Sequence, residues 1–282
     1  MSGNGLDKRI AVLEFPGSNC EVETRWALQS AGVDADIVRW NEDPGRLAGY
    51  GGFVLPGGFS YQDRVRAGAL AAKDTVVEVV TRAADQGKPI LGICNGCQVL
   101  VEAGLVPGLR EGEVEMALAP NQRPGGRGYY CRWVFLKHTA AQGRCILTRT
   151  LKENEVLPIP IAHAEGRFVT SIDSLVGTLR DNDQVVFRYC DAQGREASTP
   201  DVNPNGSMDG IAGLCNSRGN ILALMPHPER AAWLKQVPEG LESPWADRKA
   251  TAVGNWRALE GEGPGRRVFE AFRTTDRLGE ET

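Results

Sequence analysis

Histidine is scarce here: His138, His163 and His227 are the only three in 282 residues. Chemistry that needs an imidazole has few sources. Long apolar runs are missing as well. No uninterrupted segment approaches the roughly 20 residues of a helical membrane span. Met1 to Arg9 is polar and lacks the apolar stretch of a signal peptide, so a cytoplasmic location is expected. No basic run stands out and the net charge is −4, which argues against nucleic acid or an anionic membrane surface as partner. There is no G-x-x-x-x-G-K-[ST] loop, and no G-x-G-x-x-G follows a strand, so two common nucleotide-binding signatures are excluded. Internal repeats and low-complexity segments are missing too. The cysteines number seven, an odd count dispersed through the chain, and reduced thiols are expected.

What remains is ordinary globular composition, 41% hydrophobic and 24% charged. Arg9–Leu13, Asp36–Trp40, Gly52–Leu55 and Pro89–Leu91 read as buried strands. Between them, Glu21–Ala31 and Gly68–Asp85 carry apolar residues at helical spacing, each read as one helix. Strands alternating with helices predict a doubly wound, mostly parallel sheet. After Gly108 the strand candidates are Tyr129–Leu136, Glu155–Leu157, Val185–Tyr189, Gly210–Leu214 and Ile221–Met225. Most lack long helices between them, which predicts an added antiparallel region. Residues 1–230 are expected to form the main domain, with 231–282 an extension packing on it. Arg267–Leu278 reads as a terminal amphipathic helix with Phe269 and Phe272 on a docking face. His138 is expected at the surface, and Cys131, Cys145, Cys190 and Cys215 in the core.

The chain is organised around Gly92-Ile93-Cys94-Asn95-Gly96-Cys97-Gln98. A strand leads in and a helix leads out, so Cys94 sits on a sharp turn bracketed by glycines. That is the spacing of a nucleophile elbow with cysteine in place of serine. The helix start places amide N–H groups and partial positive charge near the sulfur, a setting that suits a thiolate nucleophile. Such a nucleophile needs a base, and the base an orienter. His227 and Glu229 stand two apart at a strand end between Pro226 and Pro228, and extended residues i and i+2 face one side. An oxyanion hole would draw on the N–H of Asn95 and on the Pro56-Gly57-Gly58 turn.

These elements together resemble the class I, triad-type glutamine amidotransferases. Further stretches are similar to one branch of that class, the glutaminase subunits of phosphoribosylformylglycinamidine synthase. They are Phe15–Cys20, Gly57–Tyr61, Arg66–Ala69, Cys131–Trp133, Pro160–Phe168 and Asn203–Ser207. The resemblance implies a flavodoxin-like fold and a reaction in purine biosynthesis. Cys94 would attack the side-chain amide of glutamine, His227 would move the proton, and water would release glutamate. It places Gly58 and Gln98 near the bound glutamine and His163 with Glu165 beside the same cleft. It implies no cofactor in this chain. ATP and magnesium would act on a partner synthetase subunit, which takes the ammonia, and a small third subunit would complete the complex. Four positions depart from the family pattern: Gln62 and Ala164 stand where glycine is usual, Arg64 where tyrosine is usual, and Cys97 where a large aromatic is usual.

Three other readings stay open at this level. Cys94 and Cys97 form a Cys-x-x-Cys pair, but zinc would need two more ligands and no second such pair exists. A cysteine peptidase or redox-stress protein can carry a similar elbow without a late His-x-Glu. A non-catalytic interaction subunit would not need Cys94 and His227. For single residues the plain alternatives are packing for Cys20, a turn-holding role for His163 and a solvated ion pair for Glu229-Arg230.

Overall fold

A computed structural model describes residues 8–122, 126 and 128–273. The first half alternates strand and helix. In order come β1 (Ile10–Glu14), α1 (Glu21–Ser30), β2 (Ala35–Arg39), the short α2 (Pro44–Leu47), β3 (Gly52–Leu55), α3 (Thr75–Asp85), β4 (Ile90–Ile93) and α4 (Asn95–Glu102). The second half is richer in strands: β5 (Ala117–Ala119), β6 (Tyr130–His138), β7 (Val156–His163), β8 (Arg167–Val169), α5 (Leu175–Asp181), β9 (Val185–Cys190), β10 (Ile211–Cys215) and β11 (Ile221–Leu224). Three short helices come last among the described residues, α6 (Pro244–Thr251), α7 (Trp256–Leu259) and α8 (Arg266–Glu270).

One nine-stranded sheet runs through the molecule in the order β2-β1-β3-β4-β11-β10-β9-β6-β7. From β2 to β11 all neighbours are parallel; from β11 to β7 all are antiparallel. The α/β expectation holds, and the antiparallel strands extend the same sheet. Among the parallel strands, the inner β3, β4 and β11 are apolar throughout because both faces are covered. Their carboxyl ends lie side by side, so the segments after β1, β3, β4 and β11 leave at one edge. That edge is where open α/β sheets bind ligands.

Several expectations are corrected. The helix read over 68–85 is broken: a 3-10 turn at Ala71–Lys73 gives way to an extended Asp74 (ψ 146°) before α3 starts at Thr75. His138 is fully buried, bonded through Nδ1 to the Lys152 carbonyl and through Nε2 to Thr148 Oγ1. Alternation along β6 explains it, since Val134, Leu136 and His138 share the inner face. The same alternation turns Cys131 outward, and it is exposed while Cys145, Cys190 and Cys215 are buried. The terminal helix is short, and Phe269 and Phe272 fill the main core near α1 instead of presenting a docking face. The rest of the helix read to Leu278 lies outside the described residues. Residues from Ala231 onward pack in two places. Ala231, Ala232, Val268 and Ala271 join the main core, while Leu234, Val237 and Ala252 form a small cluster against Trp133 on β6. Among the described residues, no helix is long and apolar enough to cross a membrane.

Candidate active site

Cys94 is the residue between β4 and α4. Its φ of 49° and ψ of −101° are unfavourable for any side chain with a Cβ. Neighbours hold it there. Its N–H donates to the Leu224 carbonyl at 2.8 Å, tying the elbow to the end of β11. A Cβ on Gly96 would fall 1.9 Å from the Leu55 carbonyl oxygen, and one on Gly92 would fall 2.5 Å from Leu100 Cδ1. Both bracketing glycines are therefore required by close approach. The thiol is nearly buried and donates to the Ala162 carbonyl at 3.6 Å, an oxygen that also accepts from Tyr129 Oη at 3.0 Å.

His227 follows β11 in an extended conformation, and its N–H donates to the Pro160 carbonyl at 2.8 Å. Its Nδ1 donates to Glu229 Oε1 at 2.5 Å, both side chains being buried. That bond fixes the tautomer and leaves Nε2 without a partner, free to accept a proton. Burial alone would push this imidazole down. The Glu229 carboxylate, with the Cys94 and Cys20 sulfurs, outweighs burial, and the net direction is well up. Cys20, His227 and Glu229 present ligand atoms within 4.8 Å of one another. A metal ion there would have to displace both the His227–Glu229 bond and the Arg230 guanidinium, which donates to Cys20 Sγ at 3.1 Å.

The glycine turn after β3 lies beside this pair. A Cβ on Gly57 would fall 2.7 Å from His227 Cε1. Gly58 (φ 149°) bridges to Ser18, so the loops after β1 and β3 interlock. Asn95 opens α4; its Oδ1 accepts from the Ser60 N–H at 3.1 Å and its Nδ2 donates to Gln98 Oε1 at 3.0 Å. Gln98 Nε2 donates in turn to the Glu165 carbonyl at 2.5 Å. His163 is buried at the end of β7, bonded through Nδ1 to Asn121 Oδ1 at 3.0 Å, with Nε2 unpartnered. Burial, helped by His227, lowers its pKa to about 3, so the ring is neutral near pH 7. The structure thus brings together all nine residues singled out from the sequence: Cys94, His227, Glu229, Gly57, Gly58, Asn95, Gln98, His163 and Glu165. Cys97 is fully buried, and burial raises its thiol pKa, as suits a packing residue.

Sequence reasoning missed four neighbours. Cys20 and Arg230 flank the His227–Glu229 pair. Asp63 accepts from Asn95 Nδ2 at 3.3 Å, and burial with the nearby Glu165 raises its pKa to about 6. Asn121 holds His163 through its Oδ1 and donates to the His163 carbonyl at 2.7 Å. Apart from the adjacency of Glu229 and Arg230, none of these contacts has a local signal in the chain. A cavity of about 430 Å³ near Asp85, Leu105 and Arg218 lies apart and shares no residue with this site.

Comparison with known proteins agrees with this geometry. The profile of the CobB/CobQ-like glutamine amidotransferase domain matches residues 7–263. A curated relative from Methanothrix thermoacetophila, phosphoribosylformylglycinamidine synthase subunit PurQ, is 46% identical over 94% of this chain and 97% of its own length. The chain belongs to the PurQ family of glutamine amidotransferases. Membership makes it an enzyme of purine biosynthesis, and the family's role is the glutaminase subunit of phosphoribosylformylglycinamidine synthase. The PurQ of Methanosarcina acetivorans is 44% identical over 79% of this chain and 89% of its own. Among solved structures, one titled as PurLQS from Thermotoga maritima has a chain that superposes with a TM-score of 0.69 at 32% identity, covering 95% of this chain and 99% of that one.

Proposed function

We propose that Cys94, His227 and Glu229 carry out the family's reaction in this chain. The reading rests on one observation: the thiol sits on a strained strand–helix turn beside a buried, carboxylate-oriented imidazole. His227 Nε2 takes the thiol proton as sulfur attacks the side-chain amide carbon of glutamine. The tetrahedral oxygen is met by the N–H groups of Asn95 and of the Gly57-Gly58 turn. Collapse breaks the C–N bond, and His227 returns the proton to the departing ammonia. Water, deprotonated by the same ring, then hydrolyses the glutamyl thioester to glutamate and restores the thiol. Gln98, Glu165 and His163 shape the glutamine pocket, through contacts that run from α4 to the end of β7.

The ammonia goes to a synthetase subunit, which uses ATP and magnesium to convert formylglycinamide ribonucleotide to the amidine; a small third subunit completes the assembly. The relatives' names support the synthetase partner. Residues 1–230 form the catalytic unit, 231–282 an extension packed on it, and the enzyme works in the cytoplasm.

The test is glutamate release from glutamine, measured on the complex with the synthetase. Cys94→Ala is expected to lower the rate about a thousand-fold or more, and a glutamine-analogue electrophile to label Cys94 selectively. A Cys94→Ala complex that still released glutamate at the native rate would sink the assignment.

A further inference from the structure

Two residues outside the triad touch its far side. Cys20, fully buried at the amino end of α1, donates its thiol proton to Asn19 Oδ1 at 3.1 Å. Its sulfur accepts from Arg230 Nη2 at 3.1 Å, and Arg230 Nε lies 3.8 Å from Glu229 Oε1. The guanidinium therefore spans from the Cys20 sulfur to the carboxylate that orients His227. Gly57 makes room for this: a Cβ there would fall 3.0 Å from Cys20 Sγ as well as against the ring. Glu229 needs such a neighbour. It is completely buried, and its Oε2 has no hydrogen-bond partner. A buried carboxylate in that state requires a counter-charge. His227 supplies one only while it holds two protons, whereas arginine is always charged.

We propose that Arg230, anchored on the Cys20 sulfur, is a positioning residue for the His227–Glu229 pair, holding the carboxylate's charge in place while the imidazole gains and loses its proton. The proposal rests on the reading of Cys94 and His227 as the reacting pair. The groups that face His227 are Glu229 and Arg230 from its own segment, Cys94 from the β4–α4 turn, Cys20 from the start of α1, His163 from β7 and Tyr129 from the segment before β6. Among the described residues, Arg230 is the only permanent cation in that set. A fixed cation lowers the proton affinity of every group around it, so its removal raises them together. Both limbs of the pH–rate profile should then move to higher pH.

The experiment uses the full chain with its synthetase subunit and the variants Arg230→Met, Arg230→Lys and Cys20→Ala. It reads kcat and KM for glutamine against pH. Separately, it reads the rate of Cys94 alkylation by iodoacetamide against pH, resolved by peptide mass spectrometry. For Arg230→Met we expect kcat to fall about tenfold with KM within about twofold. Both limbs and the alkylation profile should rise by about half a pH unit. Arg230→Lys should restore the limbs but only part of kcat, because a point charge replaces a two-point fork. Cys20→Ala should lower kcat less and leave the limbs closer to native. Should the methionine variant not fold, Arg230→Gln takes its place under the same outcomes. Native limbs with native kcat would overturn the proposal. So would a rise in KM alone, which would make Arg230 a substrate contact. Alkylation needs no glutamine chemistry, so a native chain that released no glutamate would overturn the function while the alkylation shift still decided the role of Arg230.

Discussion

Gln62 adopts φ +61°, between Tyr61 at +53° and Asp63 at +52°, with Val65 following at +73°. Left-handed backbone costs a residue with a Cβ roughly 1–2 kcal/mol. Position 62 is where the resemblance leads one to expect glycine, the residue that takes such a backbone without strain. Gln62→Gly is expected to raise unfolding free energy by about 0.5–1 kcal/mol, the relief being partly offset by glycine's entropy; urea denaturation measures it. At position 164 the other missing glycine costs nothing of this kind, because Ala164 has no positive φ. The proposed nucleophile and base were legible because each is spelled out locally, by Gly-x-Cys-x-Gly and by Pro-His-Pro-Glu. Arg230 and Cys20 were not, since 210 residues separate them and only the fold joins them. The placement of His138 and Cys131 was legible in principle. Polarity pointed the wrong way, and the alternation of β6 would have corrected it.

Among the elements, the parallel strands could be read almost to the residue, because continuous apolar runs bounded by glycine have few other interpretations. β7 was seen only at its start. Pro158 and Pro160 interrupt the pattern, yet the strand runs on to His163, paired with β6 along its whole length. Prolines fit an edge strand whose N–H side faces away from its neighbour. The break at Asp74 was hidden for a different reason: the apolar stripe continues across it. Its cause is tertiary, as Tyr61 Oη donates to Asp74 Oδ2 at 2.8 Å and ties the strained 61–65 loop to the start of α3. Tyr61→Phe should therefore cost about 1–2 kcal/mol, seen as a lower urea midpoint with an unchanged m-value. An unchanged midpoint would show that the hydroxyl does not hold the loop.

At the scale of the whole molecule, the segment after Ala231 carries structure that the main core needs. Phe269 is fully buried in the main core. The backbone of Gly265 presses on the segment that bears His227, where a Cβ would fall 2.1 Å from the Pro228 carbonyl oxygen. Phe269→Ala should lower stability by about 3–5 kcal/mol. The loss should be read by denaturant unfolding, and a loss below about 1 kcal/mol would show that the tail is only laid on the surface. The contact between β7 and His227 has a consequence of another kind. An uncovered sheet edge is a template for adding a foreign strand, the first step of many aggregates. At β7 that template is spoiled twice, by two prolines that offer no N–H and by the His227 N–H, which already occupies the Pro160 carbonyl. Disturbing the loop that bears His227 would free the Pro160 carbonyl, while the two prolines would still blunt the edge. Among the described residues the opposite edge of the nine-stranded sheet is β2, which carries no proline.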